Sequence, residues 1–595
     1  MEARGWASLD VLLVTGDAYV DHPAFAVALL GRLLESQGYQ VGIVAQPRWD
    51  TLEDIKHLGA PRLFVGISAG STDSLVANHT AHRKGRRYDR CSPGGRSGLR
   101  PDRATLVYAH LARRAFGDIP IILGGMEASC RRLSHFDFWQ GRIRRPLLFD
   151  AKADLSVYGM GEGAILEVAR RLREGGSDLS GIPGTCRIVS SPPSSPPAVQ
   201  LLPSFDEVRE DNSKLNRIAH VSELATKRSP SPRLYQAVDD RGLLVEPPAP
   251  VESGRALDRY YELPYTREAH PSYREPVPAL DTVRWSLTSH RGCFGGCSFC
   301  SLALHTGHKI GSRTPASLVR EARGLTRKPR FPGTLTDVGG PTANMYKMGC
   351  RSGAKGGRCG RPSCLFPNVC GDLNTSHTPW LSLLEKLREV PGITEVRVAS
   401  GIRHDLLLEA PHALGPLLEH HVGGRLRVAP EHVAGKVLRL MRKPTGATFE
   451  KFVRAFNKVR RRSSHPVSLS AYLMTAFPGS GPWERGLLAR ALQTWKIHHV
   501  EVQCFTPTPA TSATAIYASG RDHKGKEVGV VRADGARKAS TQLETPSRKD
   551  KDAPRSRASS RTSKDRAARG TKHNPGTGKK KTSRRGKKRG GRPKR

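Results

Sequence analysis

The sequence predicts an α/β protein made of two bodies and a tail. Three observations carry this reading. Residues 1–186 alternate short apolar runs with amphipathic helical patterns, as a doubly wound sheet with helices on both faces requires. Residues 281–519 repeat strand then helix about six times, which suits an open, partial (βα)6 barrel rather than a closed eight-fold one. Charge is segregated: the 595 residues carry 96 Lys+Arg against 54 Asp+Glu, a net +42, and residues 521–595 alone hold 27 Lys/Arg against 7 Asp/Glu.

In the first body, Val11–Val14 is a short apolar run, and Phe25, Leu29 and Leu33 mark one face of a helix closed by Gly38. Val41–Ala45, Leu63–Ile67 and Ile119–Leu123 are further buried-strand candidates, with helices over Leu106–Ala115 and Ala164–Leu172. Glycines follow several strands, at Gly66, Gly124 with Gly125, and Gly159 with Gly161. They stand where backbone must come close to a ligand or helix, but none completes the G-x-G-x-x-G dinucleotide pattern. The loop over 83–103 is basic and Gly-rich; it could grip an anion or be a solvated surface loop. Residues 187–280, with SSPPSSPPAV and PPAPVESG, read as a Pro-rich linker or surface insertion.

In the second body, strands are predicted at Val283–Leu287, Gly333–Val338, Thr394–Ala399, Arg425–Val428, Val467–Thr475 and Val500–Phe505. Helical patterns fall between them at 315–326, 379–389, 431–441 with 448–460, and 483–496. Residues 520–595 read as a disordered basic tail; beyond residue 520 there is no Phe, Trp or Tyr to bury. Its end, KKKTSRRGKKRGGRPKR, has the composition of a polyphosphate-binding arm or a solubilising tail. Eleven cysteines in this length exclude a dense disulfide scaffold. No apolar run approaches the ~18–20 residues that span a bilayer, and the N-terminus has no basic, long apolar leader. A soluble cytoplasmic protein without membrane partners is expected, in which grouped cysteines mean metal. No paired-carboxylate, Ser-His-Asp or Walker pattern points to hydrolysis or nucleotide use.

Chemistry gathers at the C-terminal ends of barrel strands. The first barrel strand runs directly into Ser-His-Arg-Gly-Cys-Phe-Gly-Gly-Cys-Ser-Phe-Cys, which holds Cys293, Cys297 and Cys300 in a C-x3-C-x2-C spacing. Three thiolates in so short a loop can wrap one cluster. A four-iron cubane would keep one iron free of protein thiolate, and an open coordination position is what a catalytic site needs. Zinc sites usually show paired C-x2-C elements; here only Cys297 and Cys300 make one. Gly292, Gly295 and Gly296 let the loop curl.

This loop resembles that of the radical S-adenosylmethionine superfamily, and RGCFGGCSFCS is similar to the YgiQ-type family within it. VLLVTGDAYVDHP (11–23), PGGRSGLRPDRA, DVGGPTANMY, SGIRHD, HHVGGRLRVAPEH and CFTPTPATSATA agree too, so the resemblance covers nearly the whole chain before the tail. It implies a [4Fe-4S] cluster on Cys293, Cys297 and Cys300 that binds S-adenosylmethionine at its open iron and reductively splits it. Methionine and a 5′-deoxyadenosyl radical result, and the radical abstracts hydrogen from a substrate that the sequence does not name. It further implies that Phe299 lies against the adenine, that Gly339 and Gly340 contact the methionine amino group through backbone, and that Ser400 and Arg403 meet ribose or carboxylate. By residues alone, Ser400 and Arg403 could equally be a helix N-cap and an exposed arginine. The family turn often reads Gly-Gly-Glu; here it is Gly-Gly-Pro. The segment after the fifth strand departs from the family's His-Pro-Gly-Thr-Thr, reading Phe477-Pro478-Gly479-Ser480-Gly481.

A second group, Cys350, Cys359, Cys364 and Cys370, lies among Gly and Pro with few apolar residues. Four thiolates there could hold an auxiliary iron–sulfur cluster or a zinc ion, or stay as reduced, partly exposed thiols. Cys91, Cys130, Cys186 and Cys504 look isolated and structural. An α/β body before such a barrel resembles the cobalamin-binding architecture. The module's Asp-x-His-x-x-Gly pattern is absent, with Asp21-His22-Pro23 the nearest sequence, while the glycine signals suit the fold; the sequence argues against cobalamin but leaves it open. A flavodoxin- or ferredoxin-like electron donor is implied as partner. The rival reading is a nucleic-acid-binding protein with a structural cluster, and the two combine as a radical enzyme acting on RNA.

Overall fold

A computed structural model describes residues 1, 4–194, 198–228, 230–252, 254–352 and 359–538. The N-terminal sheet begins with β1 (Leu9–Thr15), β2 (Val41–Ala45), β3 (Pro61–Ser68), β4 (Ile121–Gly124) and β5 (Leu155–Val157). β1 pairs in parallel with both β2 and β3, β3 with β4, and β4 with β5. The chain reverses direction between β2 and β3, so the crevice past the ends of β1 and β3 is a topological switch point. α1 (Ala26–Ser36), α2 (Ala104–Phe116), α3 (Gly125–Cys130) and α4 (Glu162–Arg173) connect these strands. On α1, Val27, Leu33 and Leu34 are buried at helical spacing, and Gly38 beyond its end takes a φ of +79°.

The segment predicted to be a linker, 187–280, instead folds into the first body. β6 (Thr185–Val189), β7 (Val199–Leu201), β8 (Arg233–Val238) and β9 (Arg241–Val245) extend the sheet to nine strands, in the order β2-β1-β3-β4-β5-β6-β9-β8-β7. α5 (Leu215–Ala225) packs within the same core. The physical signal was the turn: Asp239-Asp240, between the apolar runs LYQAV and RGLLV, is a two-residue hairpin turn with Asp239 at a φ of +52°. Proline density at the two ends of the segment concealed it. The edge of the first body therefore lies near Pro247 rather than residue 186.

The barrel strands are β10 (Ser286–Thr288), β11 (Thr334–Leu335 continuing as Asp337–Gly339), β12 (Glu395–Val396), β13 (Arg425–Glu431), β14 (Ser468–Thr475) and β15 (His499–Cys504). β10–β11, β11–β12, β13–β14 and β14–β15 pair in parallel, and a single bridge from Ile402 to Val428 links the two halves. Among the described residues no ladder joins β15 to β10, so the barrel is open, as six units predict. Residues 278–283 form a helix, so the first strand starts later than the predicted Val283. Helices Pro315–Thr326, Thr378–Arg388, Gly446–Arg460 and Pro482–Trp495 cover the outside at the predicted positions.

One apolar core runs from the first body into the barrel, joining Leu12, Val65 and Leu123 to Val437, Phe477 and Phe505. The predicted tail starts too early. Arg521 bridges to Glu527, and Arg537 is fully buried, packed over Phe138 and Tyr517 with ring centroids at 5.0 and 5.6 Å. A guanidinium can replace the missing aromatic payload by stacking on rings already in the core. The tail beyond residue 538 lies outside the described residues. Among the described residues no helix is long and apolar enough to cross a membrane.

Candidate functional site

The C-terminal end of β10 leads through His290 into the cysteine loop, and the loop's backbone is fixed on every side. The Cys293 amide donates to Gly307, the Ser298 amide to Met441, and Ser298 Oγ to Leu440. Gly292 sits at a φ of +88° with a hypothetical Cβ only 1.9 Å from the Lys309 carbonyl, so no other residue fits there. Cys293, Cys297 and Cys300 are all half-buried. Burial, then the neighbouring Cys297, pushes the Cys293 thiol up; burial and the other two cysteines push Cys300 up to about 12. Thiols held together in this way ionise readily only when a cation or metal cluster joins them. Among the described residues no three Cys, His, Asp or Glu side chains converge on a single metal ion. A cubane asks less of them, because each thiolate binds a different iron.

Arg403 is buried beside this loop, not exposed. Its Nη1 donates to Cys297 Sγ at 3.4 Å, while Nε and Nη2 donate to Asp405 at 2.8 and 2.5 Å. Its backbone is held twice by Asn344: its amide donates to Oδ1 at 2.9 Å, and its carbonyl accepts from Nδ2 at 3.1 Å. Arg403 holds the Asp405 carboxyl well below the usual carboxylate range, against the opposing effect of burial. Ser400 is not a helix cap either. Its hydroxyl donates to Asp337 Oδ2, and its amide to Asp337 Oδ1 at 3.0 Å, so the end of β11 orients it.

Gly339 and Gly340 end β11 where side chains cannot go. A Cβ on Gly339 would lie 2.8 Å from Ser400 Oγ, and one on Gly340 would lie 2.6 Å from the His290 carbonyl. His290 is itself anchored, Nε2 to the Thr342 carbonyl at 3.0 Å, and burial lowers its pKa to about 4. Phe299 packs edge-on against Phe477 at 6.1 Å, within an aromatic row that continues to Phe505 and Tyr517. Phe477 opens the segment after the fifth barrel strand, where the sequence departs from the pattern that the resemblance implies. The adjacent Ser480 hydroxyl instead meets His432 Nε2 at 3.2 Å, from the end of β13.

Sequence reasoning missed several members of this site. Asp337, Asp405, Asn344 and His290 act through contacts between distant strands, which no local spacing announces. Glu431 ends β13 at a bulge with a φ of +66°, its carboxyl pushed up by burial and facing Lys443 at 3.6 Å. The signal available was the polar run Glu431-His432 after an apolar strand.

A cavity of about 490 Å³ opens between the two bodies. Gly339, Gly340, Ser400 and Leu302 line one side, and the ends of β1, β3, β4 and β5 line the other, including Gly66, Gly124, Gly125 and Gly159. His22, the nearest match to a cobalt ligand, faces elsewhere in its bonding: Nε2 meets Arg267 at 3.1 Å and Nδ1 accepts from Ala24 at 3.0 Å. The basic loop over 83–103 is also engaged. Arg100 pairs with Asp17 at 2.7 Å and Asp89 at 3.1 Å, Arg96 with Glu275 at 3.2 Å, and Arg103 with Asp137 at 2.7 Å.

The second cysteine group lies directly on the first loop. The Cys364 amide donates to the Phe294 carbonyl at 3.2 Å, and Ser363 Oγ to the Gly295 carbonyl at 2.6 Å. Cys350 and Cys359 are exposed, Cys364 and Cys370 half-buried, and burial pushes the Cys364 thiol up to about 11. Residues 353–358, within this group's span, lie outside the described residues. Cys130 and Cys186 are buried as expected of structural cysteines.

The sequence is 43% identical to a UPF0313 protein of Methanosarcina mazei over 570 residues, covering 89% of this chain and 91% of that one. A UPF0313 protein of Thermotoga maritima is 43% identical over 542 residues, covering 89% and 94%. The chain belongs to the UPF0313, YgiQ-type family. The family model described as Radical SAM N-terminal matches residues 1–286, a stretch that holds the whole nine-stranded sheet of this UPF0313 chain. Among solved structures it is similar to the radical S-adenosylmethionine methyltransferase TsrM from Kitasatospora setae, bound to tryptophan and aza-SAM. That likeness has a TM-score of 0.48 at 16% identity and covers 85% of this chain and 75% of that one. The cobalamin-dependent S-adenosylmethionine radical enzyme OxsB gives 0.45 at 11%, covering 82% and 52%.

Proposed function

We propose that this protein is a radical enzyme that splits S-adenosylmethionine at a [4Fe-4S] cluster held by Cys293, Cys297 and Cys300 and uses the 5′-deoxyadenosyl radical on a substrate in the interbody cavity. One observation carries the reading: Arg403 joins the three-cysteine loop at the end of the barrel where the Gly339-Gly340 turn and Ser400 meet, and those last three residues line the cavity. The donor set fits the group, being three thiolates with a buried cationic hydrogen-bond donor beside one of them. When bound, cluster and S-adenosylmethionine supply the one-electron cleavage.

The chain's own residues have definable tasks. Arg403 donates to the Cys297 sulfur and balances its negative charge. Gly339 and Gly340 leave backbone open to the amino-acid end of S-adenosylmethionine. Asp337 fixes the Ser400 hydroxyl toward ribose or carboxylate, and Phe299 offers a ring to the adenine. The apolar walls keep water from a reactive carbon radical. The second cysteine group is read as an auxiliary metal site, iron–sulfur or zinc. For cobalamin His22 offers no ligand, since it is engaged elsewhere, and no step is assigned to that group. A flavodoxin- or ferredoxin-like donor in the cytoplasm is the expected electron source.

A second reading, a nucleic-acid-binding protein with a structural cluster, draws on the net charge of +42. The cavity lined by Gly339, Gly340 and Ser400 favours the enzyme; the arm beyond residue 538 could still hold a polyanion. Anaerobic reconstitution with iron and sulfide, followed by dithionite and S-adenosylmethionine, tests the proposal through 5′-deoxyadenosine formation.

A further inference from the structure

We infer that the substrate taken into the interbody cavity is a neutral, largely apolar small molecule, not a nucleic acid or a charged metabolite. The inference rests on the proposed radical chemistry and deepens it. The cavity's 490 Å³ falls in the range of small-molecule sites, ~300–1,000 Å³. The wall facing the barrel carries Leu13, Val27, Leu30, Leu123, Val157 and Ile165, from β1, α1, β4, β5 and α4, with Ser68, Ser71 and Glu162 its polar members.

The charged side chains and the histidines on the wall already have partners. Its charged side chains are Glu162, Arg291 and Asp337. Arg291 donates to Glu162 Oε1 at 2.5 Å and to the Tyr261 hydroxyl at 2.9 Å. Asp337 accepts from the Ala399 amide at 2.8 Å and from Ser400. His305 pairs with Ser129 at 2.9 Å, His290 with Ser289 at 2.9 Å and with Thr342, and Ser71 with Asp17. Burial keeps both histidines neutral, with pKa values lowered to about 4. A phosphate or carboxylate entering here would lose its water and find its one cation already neutralised by Glu162, which is costly. An apolar body loses nothing of that kind. It would lie against the N-terminal sheet and present a C–H group toward Gly339 and Gly340.

The step balances. One electron from dithionite breaks the sulfur–C5′ bond of S-adenosylmethionine; methionine leaves with the electron pair on its sulfur, and the unpaired electron stays on C5′. A hydrogen atom then passes from substrate carbon to C5′, leaving 5′-deoxyadenosine and a substrate carbon radical. The test uses the reconstituted full chain and extracts of source cells grown in deuterium oxide, split into neutral organic-phase, aqueous-metabolite and RNA fractions. Deuterium is expected in 5′-deoxyadenosine with the organic fraction only. Deuterium from the RNA or aqueous fraction, or 5′-deoxyadenosine that stays unlabelled with every fraction, overturns the inference. Absence of 5′-deoxyadenosine with dithionite alone overturns the radical reading and this inference with it.

A second measurement is independent of turnover. Nile red, neutral and apolar, is expected to bind at one saturable site. Leu30→Glu is expected to weaken it at least tenfold, Leu30→Met to leave it unchanged, and Leu30→Trp, which fills the space without adding charge, to weaken it if Leu30→Glu does not fold. Equal binding by folded Leu30→Glu or Leu30→Trp, or displacement of the dye by hydroxocobalamin or RNA, contradicts the assignment.

Discussion

The Arg403 guanidinium stands 3.4 Å from the Cys297 sulfur. It links the cysteine loop after the first barrel strand to the turn after the third, with Asp405 closing the other edge of the same guanidinium. A buried cation that meets a carboxylate on one side and a sulfur on the other is both a structural and an electrostatic element.

Removing it is therefore expected to cost stability before any chemistry is considered. Arg403→Met leaves the Asp405 carboxylate buried and unpaired, a loss of about 3–5 kcal/mol. The double variant Arg403→Met/Asp405→Leu should recover much of it. Urea denaturation of cluster-free protein reads both values; equal stability of the single and double variants would contradict the pairing.

Gly340→Ala sets a methyl group against the His290 backbone carbonyl, which cannot move without displacing β10. A cost of about 1–3 kcal/mol is expected, with loss of S-adenosylmethionine binding in equilibrium dialysis. Gly339→Ala meets the Ser400 hydroxyl, a side chain that can turn, so a smaller loss of stability is expected there.

Stability of the cluster-free chain should rise with pH from about 4 to the ordinary histidine value, ~6.5. Burial lowers His290, His305 and His432 each to about 4, so the unfolded chain binds more protons than the folded one within that window. The stabilising contribution is complete above ~6.5 and is lost as pH falls toward 4, each residue adding a slope of up to ~1.4 kcal/mol per pH unit. Urea midpoints against pH measure it. His290→Gln should flatten the curve, and an unchanged slope in that variant would remove His290 from the account.

The C-terminal arm divides at residue 538. Deleting 539–595 should leave thermal stability unchanged and abolish polyanion binding that weakens steeply with salt. Deleting from 521 should also destabilise, because it removes Arg537 from between Phe138 and Tyr517. Thermal melts and RNA binding at two salt concentrations separate the effects.

The alternation of apolar runs and helical faces made both parallel sheets legible, from Val11–Val14 to Val500–Phe505, because each βα unit repeats the same local pattern. The hairpin of Arg233–Val238 and Arg241–Val245 was not, since its strands are short and bracketed by proline. At the site, Cys293, Cys297 and Cys300 announced themselves by spacing within one loop. Asp337 beneath Ser400, and Asp405 beside Arg403, did not, because their meaning arises only when separate strands end side by side. Arg537 shows the converse limit: a lone arginine in a basic stretch carries no local sign that aromatic rings await it.

The most direct test of the central claim is the yield of 5′-deoxyadenosine from anaerobically reconstituted, dithionite-reduced protein supplied with S-adenosylmethionine. Formation that disappears when Cys293, Cys297 and Cys300 are all replaced by alanine is the predicted result. Formation that persists in the triple variant, or none from wild-type protein shown by spectroscopy to hold a [4Fe-4S] cluster, would contradict it.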